Sequence, residues 1–179
     1  VGKGPFDVKN QGGLGGTINV VTRKPETGWH ATPNLAAGSF GFVNPSLTAG
    51  RGGERLSALA GSSERRGDPF GDGDGRRCTE IANYRPENQG DRAFSIGTAW
   101  GRVVWQPAAG HQLDVAYTRQ DSGAVLYPYL MMDALWDDTD RANLRYEATG
   151  LGTRQASVRA QGYLTRVEHW MTDERRTSS

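Results

Sequence analysis

Gln155-Ala156-Ser157-Val158-Arg159-Ala160-Gln161-Gly162-Tyr163-Leu164-Thr165 alternates without a break. Ala156, Val158, Ala160, Gly162 and Leu164 fall on one side, and Gln155, Ser157, Arg159, Gln161, Tyr163 and Thr165 on the other. A period of two marks a strand with unlike faces, whereas a helix would repeat every 3.6 residues. The same beat occurs upstream. Between Gln112 and Gln120, Leu113, Val115 and Tyr117 oppose Gln112, Asp114, Ala116, Thr118 and Gln120. Between Arg141 and Thr149, Ala142, Leu144, Tyr146 and Ala148 oppose Asn143, Arg145, Glu147 and Thr149. Small and medium apolar residues facing away from Asp, Arg, Glu and Gln suit a wall with lipid outside and water inside. A soluble sandwich shares the alternation but carries larger inward residues.

Composition points the same way. The chain has 179 residues, 25 of them Gly, about twice the usual ~7% share. Glycine weakens a helix interior by about 1 kcal/mol each, so a helical domain is disfavoured. Only 36% of residues are hydrophobic and the mean hydropathy is −0.64. Such a chain is either disordered or a sheet needing apolar residues at alternate positions, and the alternation selects the sheet. The best apolar run, Ala124 to Met132, contains Pro128 and falls short of the ~18 residues a membrane helix needs. With 21 basic and 20 acidic residues there is no basic excess for nucleic acid, and no such partner is expected. One cysteine, Cys78, excludes an internal disulfide and a Cys-rich zinc site. No signal peptide is visible, and a chain opening at Val1 is not expected to begin where its gene does.

Further strands are expected at Thr32–Ser39, Val43–Gly50, Arg55–Arg66 and Arg92–Gln106. Arg55–Arg66 is mixed, with Leu56, Ala58 and Ala60 set against Ser57, Leu59 and Gly61, and yields no face assignment. Gly38–Gly41, Arg51–Glu54, Pro107–Gly110 and Thr149–Gly152 read as tight turns; Gly67–Asp91 and Gly123–Asp140 read as long links. Short turns at one end and long loops at the other are the habit of outer-membrane barrels. Trp100 and Trp105 are candidates for an aromatic girdle.

Gly4-Pro5, followed by Gln11-Gly12-Gly13-Leu14-Gly15-Gly16-Thr17-Ile18-Asn19-Val20-Val21-Thr22-Arg23-Lys24-Pro25, resembles the end of the plug domain of TonB-dependent outer-membrane receptors. In that signature a Gly-Gly pair leads into Ile-Asn, two apolar residues, Thr and a basic-Pro linker to the first barrel strand. Gly12–Gly16 is not a phosphate cradle, since it lacks the Gly-Lys-Ser/Thr ending. The resemblance implies an all-β protein: the C-terminal end of a plug at 1–28, then a partial transmembrane antiparallel β-barrel of about seven strands at 29–179. Such barrels have roughly 22 strands, so the chain is expected to be a fragment. Its implied setting is the bacterial outer membrane, its implied partners the TonB energy-coupling complex and outer-membrane lipid.

Within that family the chain looks most like the copper receptors. That branch carries a His-x-Met pair on a barrel strand, completing a copper site with a Cys-x-x-x-Met pair from the plug. Here His169-Trp170-Met171 maps onto the His-x-Met half. Cys78 is followed four residues on by Ala82, so it does not supply the other half. The donor chemistry agrees: thioether selects Cu(I), and imidazole accepts either copper state. Residues i and i+2 of a strand share a face, and the parity of Gln155–Thr165 puts His169 and Met171 on the polar side with Trp170 outward. The implied function is copper import, with copper ion as transported ligand and His169 and Met171 as metal contacts. Met131 and Met132, in the second long link, are a possible secondary substrate contact or a hydrophobic loop anchor.

Asp72, Asp74 and Glu80 among glycines lack EF-hand spacing and read as an acidic surface loop. His30 and His111 fall near turns. No Ser-His-Asp or paired-carboxylate arrangement is supported by spacing, so no enzymatic activity is expected. Two other functions fit the same strands. One is a TonB-dependent receptor for a siderophore or other metal chelate, and the other is a passive pore or adhesin barrel.

Overall fold

The computed structural model describes residues 27–153 and 155–177. The expected plug end thus lies outside the described residues, apart from Thr27 and Gly28. Seven strands follow in chain order: β1 (Gly28–Ala37), β2 (Val43–Gly52), β3 (Leu56–Gly67), β4 (Phe94–Trp105), β5 (His111–Val125), β6 (Asp133–Leu151) and β7 (Ala156–Thr172). They form one sheet ordered β1-β2-β3-β4-β5-β6-β7, every neighbouring pair antiparallel. Among the described residues no helix is long and apolar enough to cross a membrane. Among the described residues the one α-helix, α1, covers Cys78–Ile81.

Register fixes the faces, because directly paired residues share a side. One row runs Arg51, Ala58, Val103, Val115, Leu144, Gly162; the next runs Gly50, Leu59, Arg102, Ala116, Asn143, Tyr163. The mixed strand is thereby resolved. Leu56, Ala58 and Ala60 belong to the apolar face, while Leu59 sits on the polar face, buried beside Gly50. Trp100 corrects an expectation. It pairs with Gly61 and Thr118 on the polar face, so it is no girdle residue. Trp105 does lie on the apolar face, at the lower end of the sheet, as does Trp29.

The apolar face stops at a defined level. Apart from Arg51, near the lower end of β2 and 5.5 Å over the Trp29 ring, its first charges are Glu64 in the strand beginning at Leu56, Arg119 in the strand beginning at His111, Asp140 in the strand ending at Leu151, and Arg166 in the strand beginning at Ala156. The stretches below these charges, 8 residues in β3 and β5, 11 in β6 and 10 in β7, lie near the 9–11 that a tilted strand needs to cross a bilayer. Above it the same face carries ions. One row reads Glu64, Gly97, Asp121, Asp138, Glu168, and the row below holds Arg119, Asp140 and Arg166. Arg119 lies 2.7 Å from Asp138 and 2.8 Å from Asp140, and its Nε donates to Asp121 at 2.8 Å.

The second long link is much shorter than expected. β5 runs on to Val125 and β6 starts at Asp133, leaving residues 126–132 as the connection. The cause is visible in the sequence: Asp137, Asp138 and Asp140 put charge on both faces, which erases the alternation while strand pairing continues. The first link, residues 68–93, is a long connection containing α1. Its acidic part holds itself together. Asp72 Oδ1 accepts from the backbone of Arg76 at 2.9 Å and of Asp74 at 3.0 Å, and the Arg76 guanidinium lies 2.9 Å from Oδ2. The Arg76 backbone bond, above all, holds the Asp72 carboxyl below its ordinary range.

Candidate metal-binding rim

The lower turns are short, spanning residues 53–55, 106–110 and 152–155; the upper end carries residues 38–42, 68–93 and 126–132. β7 runs upward, so His169 and Met171 sit at its upper end. His169 is paired with Asp137, on the row continuous with Ser122 and therefore on the polar face. Met171 is paired with Ala134. Between these pairs β6 accommodates an extra residue, a register shift between Ala134 and Trp136. A bulge of this kind re-aims side chains at a strand end. Trp170 pairs with Trp136 on the opposite face, as parity requires.

The other two methionines arrive at the same end. Met132 immediately precedes Asp133, whose partner is Thr172, the neighbour of Met171. Met131 and Met132 are 66% and 41% exposed. His169 is exposed and Met171 is half-buried. One histidine and three methionines thus lie along the sequence stretches at the upper ends of β6 and β7. Among the described residues no group of three or more His, Cys, Asp or Glu could hold a metal. Asp137, opposite His169, is a rim residue that the sequence reading missed; only the dense run Asp137-Asp138-Thr139-Asp140 hints at it.

Beneath the rim, the polar face holds two sets of ion pairs. Arg102 lies 2.6 Å from Asp114, and Arg145 and Arg159 both engage Glu147; Asp114 and Arg145 stand opposite each other in the strand register. A hollow of about 700 Å³ opens here, lined by Trp100, Arg102, Asp114 and Arg145 among others.

The long 68–93 connection is fastened at the same upper end. Tyr84, Asp133 and Arg176 form a buried cluster. Burial first, and then the bond to the Asp133 carboxylate, push the Tyr84 hydroxyl well above its ordinary pKa. Cys78, near enough to influence that ionisation, is buried as well, and burial raises its thiol pKa. It is a buried thiol.

No known family pattern matches the chain, and no curated protein matches it in sequence. Among solved structures it is similar to that of the copper transporter OprC, with a TM-score of 0.77 and 22% identity. The match covers 97% of this chain and 25% of that one, so the chain spans about a quarter of the length of the structure it matches. At that identity the likeness concerns the fold: an all-β sheet of consecutive antiparallel strands, shared with part of a barrel protein.

Proposed function

We propose that this chain forms part of the wall of a bacterial outer-membrane receptor that takes up copper, driven through TonB, with residues 1–28 as the end of its plug. The observation that carries the reading is the placement of His169 and Met171, side by side on the polar face at the upper end of β7, in a fold shared with a copper transporter. The membrane setting is supported by the apolar face. Val103, Val115, Leu144 and Leu164 are 42–68% exposed there, an uncovered apolar face of the kind that lipid covers.

The upper end faces the medium if the lower turns face the periplasm, as short barrel turns do. Copper arriving from outside then meets Met131 and Met132 on the loop before His169 and Met171. Soft thioethers favour Cu(I), and two rim ligands leave coordination positions for the rest of the receptor. The experiment is a copper titration of the full-length protein with His169→Ala and Met171→Ala. Each variant should lose about 10- to 100-fold in affinity, at least as much as removing an outer-shell partner costs. Unchanged affinity in both rejects the copper site.

The hollow lined by Trp100, Arg102 and Arg145 favours a second reading, uptake of an anionic metal chelate. In that case a metal–siderophore complex would bind both alanine variants as it binds the wild type.

A further inference from the structure

Three distant segments meet at the top of β6. Asp133 opens the strand, Tyr84 comes from the 68–93 connection, and Arg176 follows β7. Arg176 Nη2 donates to Asp133 Oδ1 at 2.7 Å and its Nε to Oδ2 at 3.1 Å. The Tyr84 hydroxyl accepts from Arg176 at 2.7 Å and donates to Asp133 at 2.6 Å, and the guanidinium lies 3.7 Å over the Tyr84 ring. Arg176 also donates to the carbonyls of Ala82 and Tyr127, each at 2.9 Å. Asp133 Oδ1 accepts from the Tyr127 backbone N–H at 2.7 Å. Asn83 O accepts from Thr177 N at 2.8 Å, and Arg175 O accepts from Arg85 N at 2.9 Å, doubling the seam.

The loop bearing Met131 and Met132 is therefore gripped at both ends by one ion pair: Tyr127 through its backbone N–H and C=O, Asp133 through its carboxylate. Asp133 is fully buried and Arg176 is 5% exposed. Burying such a pair costs heavily in desolvation and is repaid only when geometry and hydrogen bonding are complete, as here. A connection that needed only tethering would not require it. What complete satisfaction provides is one fixed arrangement.

We propose that Arg176 is a positioning residue. It closes a latch between the 68–93 connection, the 126–132 loop and the segment after β7, and so fixes Met131 and Met132 relative to His169 and Met171. The inference rests on the copper reading above.

The test uses the full-length protein with Arg176→Lys and Tyr84→Phe; the second removes only a hydroxyl and leaves the ion pair. Alkylation of Cys78, followed by mass spectrometry, reads the latch without copper. Competition titration reads Cu(I) affinity, with His169→Ala measured alongside. Arg176→Lys should expose Cys78 and weaken Cu(I) binding by about tenfold, the scale of lost outer-shell support. Tyr84→Phe should do both more weakly, and strand circular dichroism should stay as in the wild type. If both variants leave Cys78 protected, there is no latch. If Cys78 is exposed while Cu(I) affinity holds and His169→Ala still weakens it, the positioning role is overturned and the copper reading stands. Unchanged affinity in His169→Ala rejects the copper reading and this inference together.

Discussion

Gly61 carries no side chain because Trp100 fills the space one would need. A Cβ there would stand 2.8 Å from the indole ring. The indole in turn backs the hollow of the polar face, so the glycine sets the shape of that wall. Gly61→Ala should shift Trp100 and cost about 1–3 kcal/mol, the usual penalty for overpacking. A lowered thermal midpoint of the detergent-folded protein and a shift in tryptophan emission would register it. From the sequence, the face that His169 and Met171 occupy was legible because i, i+2 parity extends from a clean run next to them. The face of Trp100 was not, because its own strand does not alternate cleanly and the register with its neighbours is not written in the sequence. Its pairing with Thr118 of β5 and Gly61 of β3 settles it.

Strands differ along their own length. Alternation is clean in the middle of β5, β6 and β7, where the two faces meet different media, and the sequence announces them there. Above Arg119, Asp140 and Arg166 both faces are polar and the signal vanishes, although β6 continues as a strand of 19 residues. That is why residues 133–140 read as loop. The boundary can be measured. Leu144→Arg, in the apolar band, should destabilise the folded protein by about 2–4 kcal/mol, while Glu168→Lys, above the boundary, should cost roughly 0–1 kcal/mol. Denaturant titrations in lipid vesicles give both values, and equal costs would remove the boundary from where it is drawn.

For the whole molecule, topology was the most legible property: consecutive amphipathic strands joined by tight turns leave little choice but a meander. The fastened upper end was the least legible. Tyr84, Asp133 and Arg176 come from three separate stretches, and nothing local in any of them requires the others. Among the described residues, β1 and β7 are the outer strands of the sheet. Each offers unpaired backbone donors and acceptors, a template for strand addition. The 179-residue chain alone should therefore self-associate in water without detergent. Sedimentation velocity at high concentration checks this, and a stable soluble monomer would contradict it.

Strand length climbs across the sheet, from 10 residues in β1 to 19 in β6. At about 3.3 Å per residue, β6 is nearly twice as long as a uniform bilayer demands. In the proposed setting the flank made by β5, β6 and β7 stands above the lipid like a parapet, exposing ordered strand as well as loops to the surroundings. An antibody or a bacteriophage tail fibre reaching an intact cell would find there a rigid epitope patterned in carboxylates, guanidiniums and the indoles of Trp136 and Trp170.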